Sequence, residues 1–167
     1  MSGFEVQANR LLAEVSALLI ARNWRMATAE SCTGGWIAKC CTDVAGSSEW
    51  FDRAYVTYSY RAKEQMLGVS HDDLVKYGAV SDEIAWQMAT GAKKHSKAAV
   101  IVSATGIAGP GGGMPGKPVG LVHFGWWIGD LPAVCDSAVF EGDRNAVRQQ
   151  TVLHALQGII SRIGESA

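Results

Sequence analysis

Apolar residues recur three and four positions apart in three long segments, which is the spacing of one helix face. This pattern predicts helices over residues 6–20, from Ser81 to about residue 92, and from Asp143 to residue 163. Ser81 and Asp143 are residue types that cap helix N-termini, so they mark where the second and third of these helices begin. Shorter helices are predicted over residues 35–42, 61–67 and 71–76.

Runs of β-branched and aromatic residues between these helices predict strands. They lie at residues 24–29, 54–60 and 98–104, with an antiparallel pair at 118–127 and 133–140. Helices and strands alternate until the strand pair and the last helix close the chain. This order is typical of a layered α/β domain with a mixed sheet, and it predicts a single domain over residues 1–167.

Composition and charge exclude several classes of protein. Fifteen basic and sixteen acidic residues give a net charge of −1 without a basic run, which argues against a protein that holds nucleic acid by bulk charge. No apolar run approaches the roughly 18 residues of a membrane span, and no signal-peptide pattern is present. The four cysteines have neither CxxC nor zinc-ligand spacing, so we expect reduced thiols, a cytoplasmic protein and no metal.

A glycine-rich stretch, Thr-Gly-Ile-Ala-Gly-Pro-Gly-Gly-Gly at residues 105–113, follows the apolar run 98–102. Glycine permits positive φ and lets a ligand touch the backbone, and successive exposed N–H groups form a concavity for an anion. The stretch fits neither the dinucleotide-binding nor the P-loop pattern. It predicts a site for an anionic small molecule, with Lys117 and Arg144 as the nearest cations.

Polar clusters follow three of the predicted strands, at residues 31–35, 58–63 and 105–117. If these strands run parallel, the clusters emerge at the same edge of the sheet, where open α/β sheets bind their ligands. The sequence therefore predicts one pocket built from three distant segments.

Ser31 lies between a predicted strand and a predicted helix, a position that permits two roles. Its hydroxyl is a candidate nucleophile, with N–H groups of residues 32–35 available to stabilise an oxyanion or bind phosphate. It is equally suited to cap the helix. Cys32 is a rival nucleophile in the same turn.

No histidine lies close to Ser31 in sequence, so Lys63 is the candidate general base. Burial or a neighbouring cation would lower its pKa, and Tyr58 would then relay the proton. Alternatively, a charged Lys63 lowers the pKa of Tyr58, and the phenolate is the base. Spacing does not choose between these two arrangements.

Eight short motifs occur in order along the chain, and together they resemble the CinA C-terminal domain family, also called the PncC family. They are Glu30-Ser31-Cys32-Thr33-Gly34-Gly35, Tyr58-Ser59, Lys63 with Leu67-Gly68-Val69, Gly78-Ala79-Val80-Ser81, Met88-Ala89-Thr90-Gly91, Thr105-Gly106-Ile107-Ala108-Gly109-Pro110, Lys117-Pro118-Val119-Gly120 and Gly142-Asp143-Arg144. The resemblance covers about residues 6–163.

The resemblance implies an activity and an architecture. The family hydrolyses the carboxamide of nicotinamide mononucleotide to nicotinic acid mononucleotide and ammonia, in pyridine nucleotide salvage. It implies a three-layer α/β/α fold with a mixed, mainly parallel sheet, no metal or cofactor, and self-association into a dimer or larger homo-oligomer. It identifies this chain as the stand-alone form.

The resemblance also assigns roles to residues. Ser31 would form an acyl-enzyme, Tyr58 and Lys63 would be its base system, and Thr105 would help to position or polarise the amide. The residues implied to bind substrate are Glu30, Cys32, Thr33, Gly34, Gly35, Tyr60, Gly106, Gly109, Gly111, Gly112, Lys117 and Arg144.

One position departs from the family pattern. Members often carry Tyr-Ser-Asn where this chain has Tyr58-Ser59-Tyr60. A tyrosine does not replace both the donor and the acceptor of an asparagine amide. The alternative hypothesis is therefore a catalytically weak or inactive nucleotide-binding paralogue with a regulatory role related to competence or DNA damage.

Overall fold

Six α-helices and five β-strands form residues 1–166, the part of the chain that the computed structural model describes. In chain order they are α1 (Gly3–Ala21), β1 (Met26–Glu30), α2 (Trp36–Asp43), β2 (Phe51–Val56), α3 (Tyr60–Leu67), α4 (His71–Tyr77), α5 (Asp82–His95), β3 (Val100–Gly106), β4 (Leu121–Ile128), β5 (Leu131–Val139) and α6 (Arg144–Glu165). No helix in this part of the chain is both long and apolar enough to cross a bilayer.

The five strands form one mixed sheet in the order β2-β1-β3-β4-β5. β1 pairs in parallel with β2 and with β3, whereas β3–β4 and β4–β5 are antiparallel. Parallel and antiparallel pairings are thus equal in number, and the expected predominance of parallel pairing is not found, because β3, β4 and β5 follow one another antiparallel along the chain. The three strands that precede the polar clusters do run parallel, as the shared edge requires.

Helices cover both faces of the sheet. Along β3, Val100, Val102 and Ala104 point into a core formed with α1, α2 and α6. Ile101 points the other way, into a core formed with α3, α4 and α5. This alternation produces the α/β/α layering.

Helix caps explain where the predicted boundaries hold and where they shift. The side chains of Ser81 and Asp143 accept hydrogen bonds from the N–H groups of Ile84 and Ala146, which confirms both predicted helix starts. The strand expected at 54–60 instead ends at Val56, because Ser59 caps α3 by accepting from the Ala62 N–H.

Helix α3 lies very close to α5 at Gly91. A Cβ at this position would overlap the carbonyl oxygen of Leu67, the last residue of α3. Because α3 also carries Lys63, this close packing helps to fix the height of the lysine relative to the sheet.

We expect Gly91→Ala to lower the free energy of unfolding by about 1–3 kcal/mol, because relieving the overlap forces α3 and α5 apart. Gly164→Ala in α6 is the matched control, since nothing lies within 4 Å of the added Cβ. It should stabilise the protein by about 0.5–1 kcal/mol through helix propensity. Urea denaturation measures both changes, and a Gly91→Ala variant as stable as the wild type would contradict the close packing.

Candidate active site

Ser31 begins a tight turn that leads from β1 into α2. Its N–H donates to the Ala104 carbonyl of β3 (3.0 Å), and the Gly34 N–H donates back to the Ser31 carbonyl (3.0 Å). Gly34 has φ of +60°, a left-handed conformation that suits glycine. The turn therefore holds the Ser31 side chain at the carboxyl end of β1.

Glu30 is a buried carboxylate that accepts hydrogen bonds from this turn and from the start of α2. Its two oxygens accept five hydrogen bonds, from the Thr28 hydroxyl (3.0 Å), the Thr33 hydroxyl (2.6 Å) and the N–H groups of Gly35 (3.0 Å), Ile37 (3.1 Å) and Ala38 (2.9 Å). A negative charge is favourable beside the unpaired N–H groups at a helix start. Glu30 thus ties the turn to the first turn of α2.

Lys63 extends from α3 into the interior and ends against Ser31. Its Nζ donates to Ser31 Oγ (2.8 Å) and to the Thr57 carbonyl (2.7 Å). The side chain is buried and makes no salt bridge within residues 1–166. Because burial disfavours the charged form, the pKa of Lys63 falls to about 8. A neutral amine within reach of a serine hydroxyl is suited to accept its proton.

Tyr58 lies at the rim of the site rather than beside this pair. Its side chain is 63% exposed, and its hydroxyl accepts a hydrogen bond from Arg144 Nη2 (3.0 Å). Arg144 Nη1 donates to the Gly109 carbonyl (2.8 Å), which links the rim to the glycine-rich loop. Within the described chain Tyr58 makes no hydrogen bond to Ser31 or Lys63, so the geometry favours Lys63 as the base.

A cavity of about 280 Å³ opens above Ser31 and Lys63. The predicted site residues that it brings together are Ser31, Cys32, Tyr58, Tyr60, Lys63, Thr105, Gly106, Gly109, Gly111, Gly112 and Arg144. All three polar clusters identified in the sequence contribute to this lining. The segments meet because β1, β2 and β3 run parallel and end at the same edge of the sheet.

Five predicted substrate-binding residues lie outside the cavity lining: Glu30, Thr33, Gly34, Gly35 and Lys117. The first four belong to the turn at residues 31–35 and to its hydrogen bonds with α2. Lys117 donates from Nζ to the carbonyl of Tyr77 at the end of α4. Contact of these five residues with a substrate stays a prediction.

Ala79 and Val80 form one wall of the cavity and were missed as site residues. Thr105 Oγ1 donates to the Ala79 carbonyl (2.8 Å), and Tyr60 Oη accepts from the Ala79 N–H (3.3 Å). Two predicted site residues therefore hold this wall in place. The ordered motif from Gly78 to Ser81 was the only signal in the sequence that pointed to it.

Cys32 borders the cavity, but its thiol is buried. Burial raises the pKa of Cys32 to about 12, so the thiolate is scarce at neutral pH. This disfavours Cys32 as the nucleophile.

Cys40, Cys41 and Cys135 are also free thiols. No group of three or more His, Cys, Asp or Glu residues within residues 1–166 is placed to hold a metal ion.

Comparison with known proteins identifies close relatives. Residues 8–163 match the family model of the CinA C-terminal domain. Nicotinamide-nucleotide amidohydrolase PncC of Enterobacter agglomerans is 49% identical over 92% of this chain and 93% of its own length. The protein of the same name from Escherichia coli strain K12 is 49% identical over 89% of this chain and 90% of its own.

Solved structures share the fold. The competence damage-inducible protein A of Klebsiella pneumoniae has a TM-score of 0.90 at 34% identity, covering 94% of this chain and 97% of that one. The competence/damage inducible protein CihA of Agrobacterium tumefaciens has a TM-score of 0.87 at 41% identity, covering 96% of both chains.

The geometry around Glu30 yields a testable prediction. Glu30→Gln keeps the shape of the side chain but places an NH₂ group against N–H and hydroxyl donors, which leaves buried donors unpaired. We expect the free energy of unfolding to fall by about 2–4 kcal/mol. Glu14→Gln, on the exposed side of α1, is the matched control and should change it by less than about 0.5 kcal/mol. Equal stability of the two variants in urea denaturation would contradict the capping role.

Proposed function

The chain belongs to the CinA C-terminal domain family, and we propose that it hydrolyses the carboxamide of nicotinamide mononucleotide to nicotinic acid mononucleotide and ammonia. The observation that carries the proposal is the buried hydrogen bond of 2.8 Å between Lys63 Nζ and Ser31 Oγ. It places a base with a lowered pKa against a hydroxyl at the floor of a cavity. The PncC relatives, which match over nearly their whole length, support the choice of substrate.

The first half of the reaction acylates Ser31. Neutral Lys63 accepts the hydroxyl proton as Ser31 Oγ attacks the carboxamide carbon, which gives a tetrahedral intermediate. The lysine ammonium then returns this proton to the amide nitrogen as the carbon–nitrogen bond breaks. Ammonia leaves, and the pyridine carbonyl remains bound to Ser31 as an ester.

The second half releases the acid. Lys63, neutral again, accepts a proton from a water molecule that attacks the ester carbonyl. Collapse of the second intermediate breaks the bond to Ser31 Oγ, and the lysine returns the proton to the serine. The product acid releases its remaining proton to solvent and leaves as the pyridine carboxylate. Lys63 serves as base and then acid in both halves.

The rim of the cavity is suited to the nucleotide part of the substrate. Arg144 follows the N-cap of α6 and is held by Tyr58 and the Gly109 carbonyl. A guanidinium at a helix N-terminus is favourable for a phosphate. We assign the phosphate to Arg144 and the glycine-rich loop, and the carboxamide to the floor. Tyr58 then orients Arg144 and does not act as the base.

The tyrosine at position 60 gives no reason to prefer the non-catalytic alternative to the catalytic proposal. Its hydroxyl contacts the Ala79 N–H and leaves the contact between Lys63 and Ser31 intact. A binding-only paralogue has no need for a buried amine held against a serine. We also propose a cytoplasmic setting, consistent with four free thiols. Assembly into a homo-oligomer stays a prediction from the family resemblance.

Purified protein should release ammonia from nicotinamide mononucleotide without added metal, and Ser31→Ala should lower kcat by about 10³-fold or more because it removes the nucleophile. A coupled ammonia assay measures both. Ser161→Ala, on the exposed side of α6, is the matched control. Full turnover by Ser31→Ala would refute the serine mechanism, and preference for nicotinamide, its riboside or the dinucleotide would refute the substrate.

The lowered pKa of Lys63 predicts the pH profile. Because the neutral amine is the active form, kcat/KM should rise about tenfold per pH unit below pH 8 and level off above about 8. Lys63→Arg keeps the positive charge but cannot lose its proton in this range, so it should be inactive at every pH tested. A rate that falls as the pH rises through 8 would contradict Lys63 as the base.

A further inference from the structure

Arg148, in the second turn of α6, makes hydrogen bonds to the turn at residues 31–35, although more than a hundred residues separate the two segments in sequence. Its Nε donates to the Cys32 carbonyl (3.1 Å), and its Nη2 donates to the Thr33 carbonyl (3.1 Å). The guanidinium also lies 5.1 Å from the centre of the Trp36 ring. Two consecutive carbonyls of the turn are therefore held by one rigid, permanently charged group.

This contact fixes the direction of two peptide units. In a trans peptide the carbonyl and the N–H point in opposite directions. When the Cys32 carbonyl faces Arg148, the Thr33 N–H must face away from it. The Thr33 carbonyl sets the Gly34 N–H in the same way, and that N–H closes the turn on the Ser31 carbonyl (3.0 Å).

Only some donors of the turn are free to meet a substrate. The Ser31 N–H is taken by Ala104, and the N–H groups of Gly34 and Gly35 are taken by the Ser31 carbonyl and Glu30. Within residues 1–166 the N–H groups of Cys32 and Thr33 make no hydrogen bond to another residue. Of the two residues, only Cys32 lines the cavity. Its N–H directly follows Ser31, where a donor that stabilises a tetrahedral oxyanion is needed.

We propose that Arg148 is a positioning residue that holds the Cys32 N–H group in place as an oxyanion donor for Ser31. Arg148 fixes the peptide unit between Thr33 and Gly34, the Gly34 N–H holds the Ser31 carbonyl, and that carbonyl belongs to the same peptide unit as the Cys32 N–H. Two effects act together. The clamp on the carbonyls prevents the peptide units from rotating, so the donor needs no reorganisation when negative charge develops. The hydrogen bond from a cation to the Thr33 carbonyl also makes the Gly34 N–H a stronger donor to the Ser31 carbonyl, which in turn polarises the Cys32 N–H. The inference rests on the proposed role of Ser31 as nucleophile.

A serine-reactive fluorophosphonate tests this site independently of the natural substrate. Ser31 Oγ forms a bond to phosphorus, the phosphorus–fluorine bond breaks, fluoride leaves, and Lys63 accepts the hydroxyl proton. Negative charge grows on the phosphoryl oxygen, which requires the same donor as the amide reaction. Intact-protein mass spectrometry gives the rate of labelling, and Ser31→Ala must remain unlabelled.

Arg148→Ala should slow both labelling of Ser31 and kcat on nicotinamide mononucleotide by about 10²-fold, the usual effect of losing oxyanion stabilisation. The KM should change by less than about threefold, because the substrate is bound elsewhere. Arg162→Ala is the matched control: Arg162 lies on the same helix and stacks on Trp126 at 3.7 Å, but it contacts Gly158 and Asp136 instead of the turn. It should keep the wild-type rate within about threefold.

Added guanidinium ions, at concentrations that leave the fold intact, should restore much of the labelling rate of Arg148→Ala and none in the control. A purely structural arginine would not be rescued in this way. Arg148→Gln covers the case in which the alanine variant fails to fold, since it keeps part of the packing and one donor but no charge. It should be folded by circular dichroism and at least about tenfold slower.

Two outcomes would overturn the inference: labelling of a folded Arg148 variant at the wild-type rate, or a slowed variant that guanidinium does not rescue. Failure of the proposed function looks different. If Ser31 is labelled in a manner that depends on Arg148 while nicotinamide mononucleotide yields no ammonia, the substrate is wrong and the role of Arg148 stands. If Arg148→Ala turns over the nucleotide at the wild-type rate, the proposed role of Arg148 is wrong and the proposed substrate stands.

Discussion

The burial of the Lys63 amine against the Ser31 hydroxyl, without a salt bridge to any carboxylate of residues 1–166, is the constraint on which the site depends. An ammonium in such a place loses hydration that neither a hydroxyl nor a carbonyl replaces, and this loss lowers the pKa of Lys63. The fold holds the lysine there through the Ser59 cap that begins α3 and the close contact of α3 with Gly91. The burial therefore leaves a larger fraction of the Lys63 amine neutral near pH 7–8 than an exposed lysine would have.

The turn that carries Ser31 is held by hydrogen bonds to two side chains of opposite charge, Glu30 and Arg148. Glu30 binds its hydroxyl and N–H donors, and Arg148 binds its carbonyls. Neither charge is directed at Lys63, so the two residues stiffen the backbone without raising the pKa of the base. The residues that shape the turn are thus distinct from Ser31 and Lys63, the pair that we propose to exchange protons.

The sequence predicts the layered α/β fold and the meeting of three polar clusters in one cavity, but it predicts individual contacts less well. Polar clusters after three strands indicated a shared pocket, because parallel strands must end at one edge. Residue spacing does not show that the Tyr58 hydroxyl contacts Arg144. Nor does it show that the Glu30 carboxylate accepts hydrogen bonds from N–H groups at the start of α2. Such outcomes depend on side-chain direction, which is decided by packing between distant segments. The contacts of Arg148 could not be predicted for the same reason, since its partners Cys32 and Thr33 are more than a hundred residues away in sequence.

Cys32 directly follows Ser31, yet the residue is only 5% exposed and burial raises the pKa of its thiol to about 12. Peroxide attacks thiolates that solvent can reach, and this sulfur is neither ionised nor accessible. Cys32 therefore adds no oxidation-sensitive group to the cavity. A hydroxyl such as that of Ser31 has no comparable oxidation chemistry, so the proposed reaction should be insensitive to peroxide.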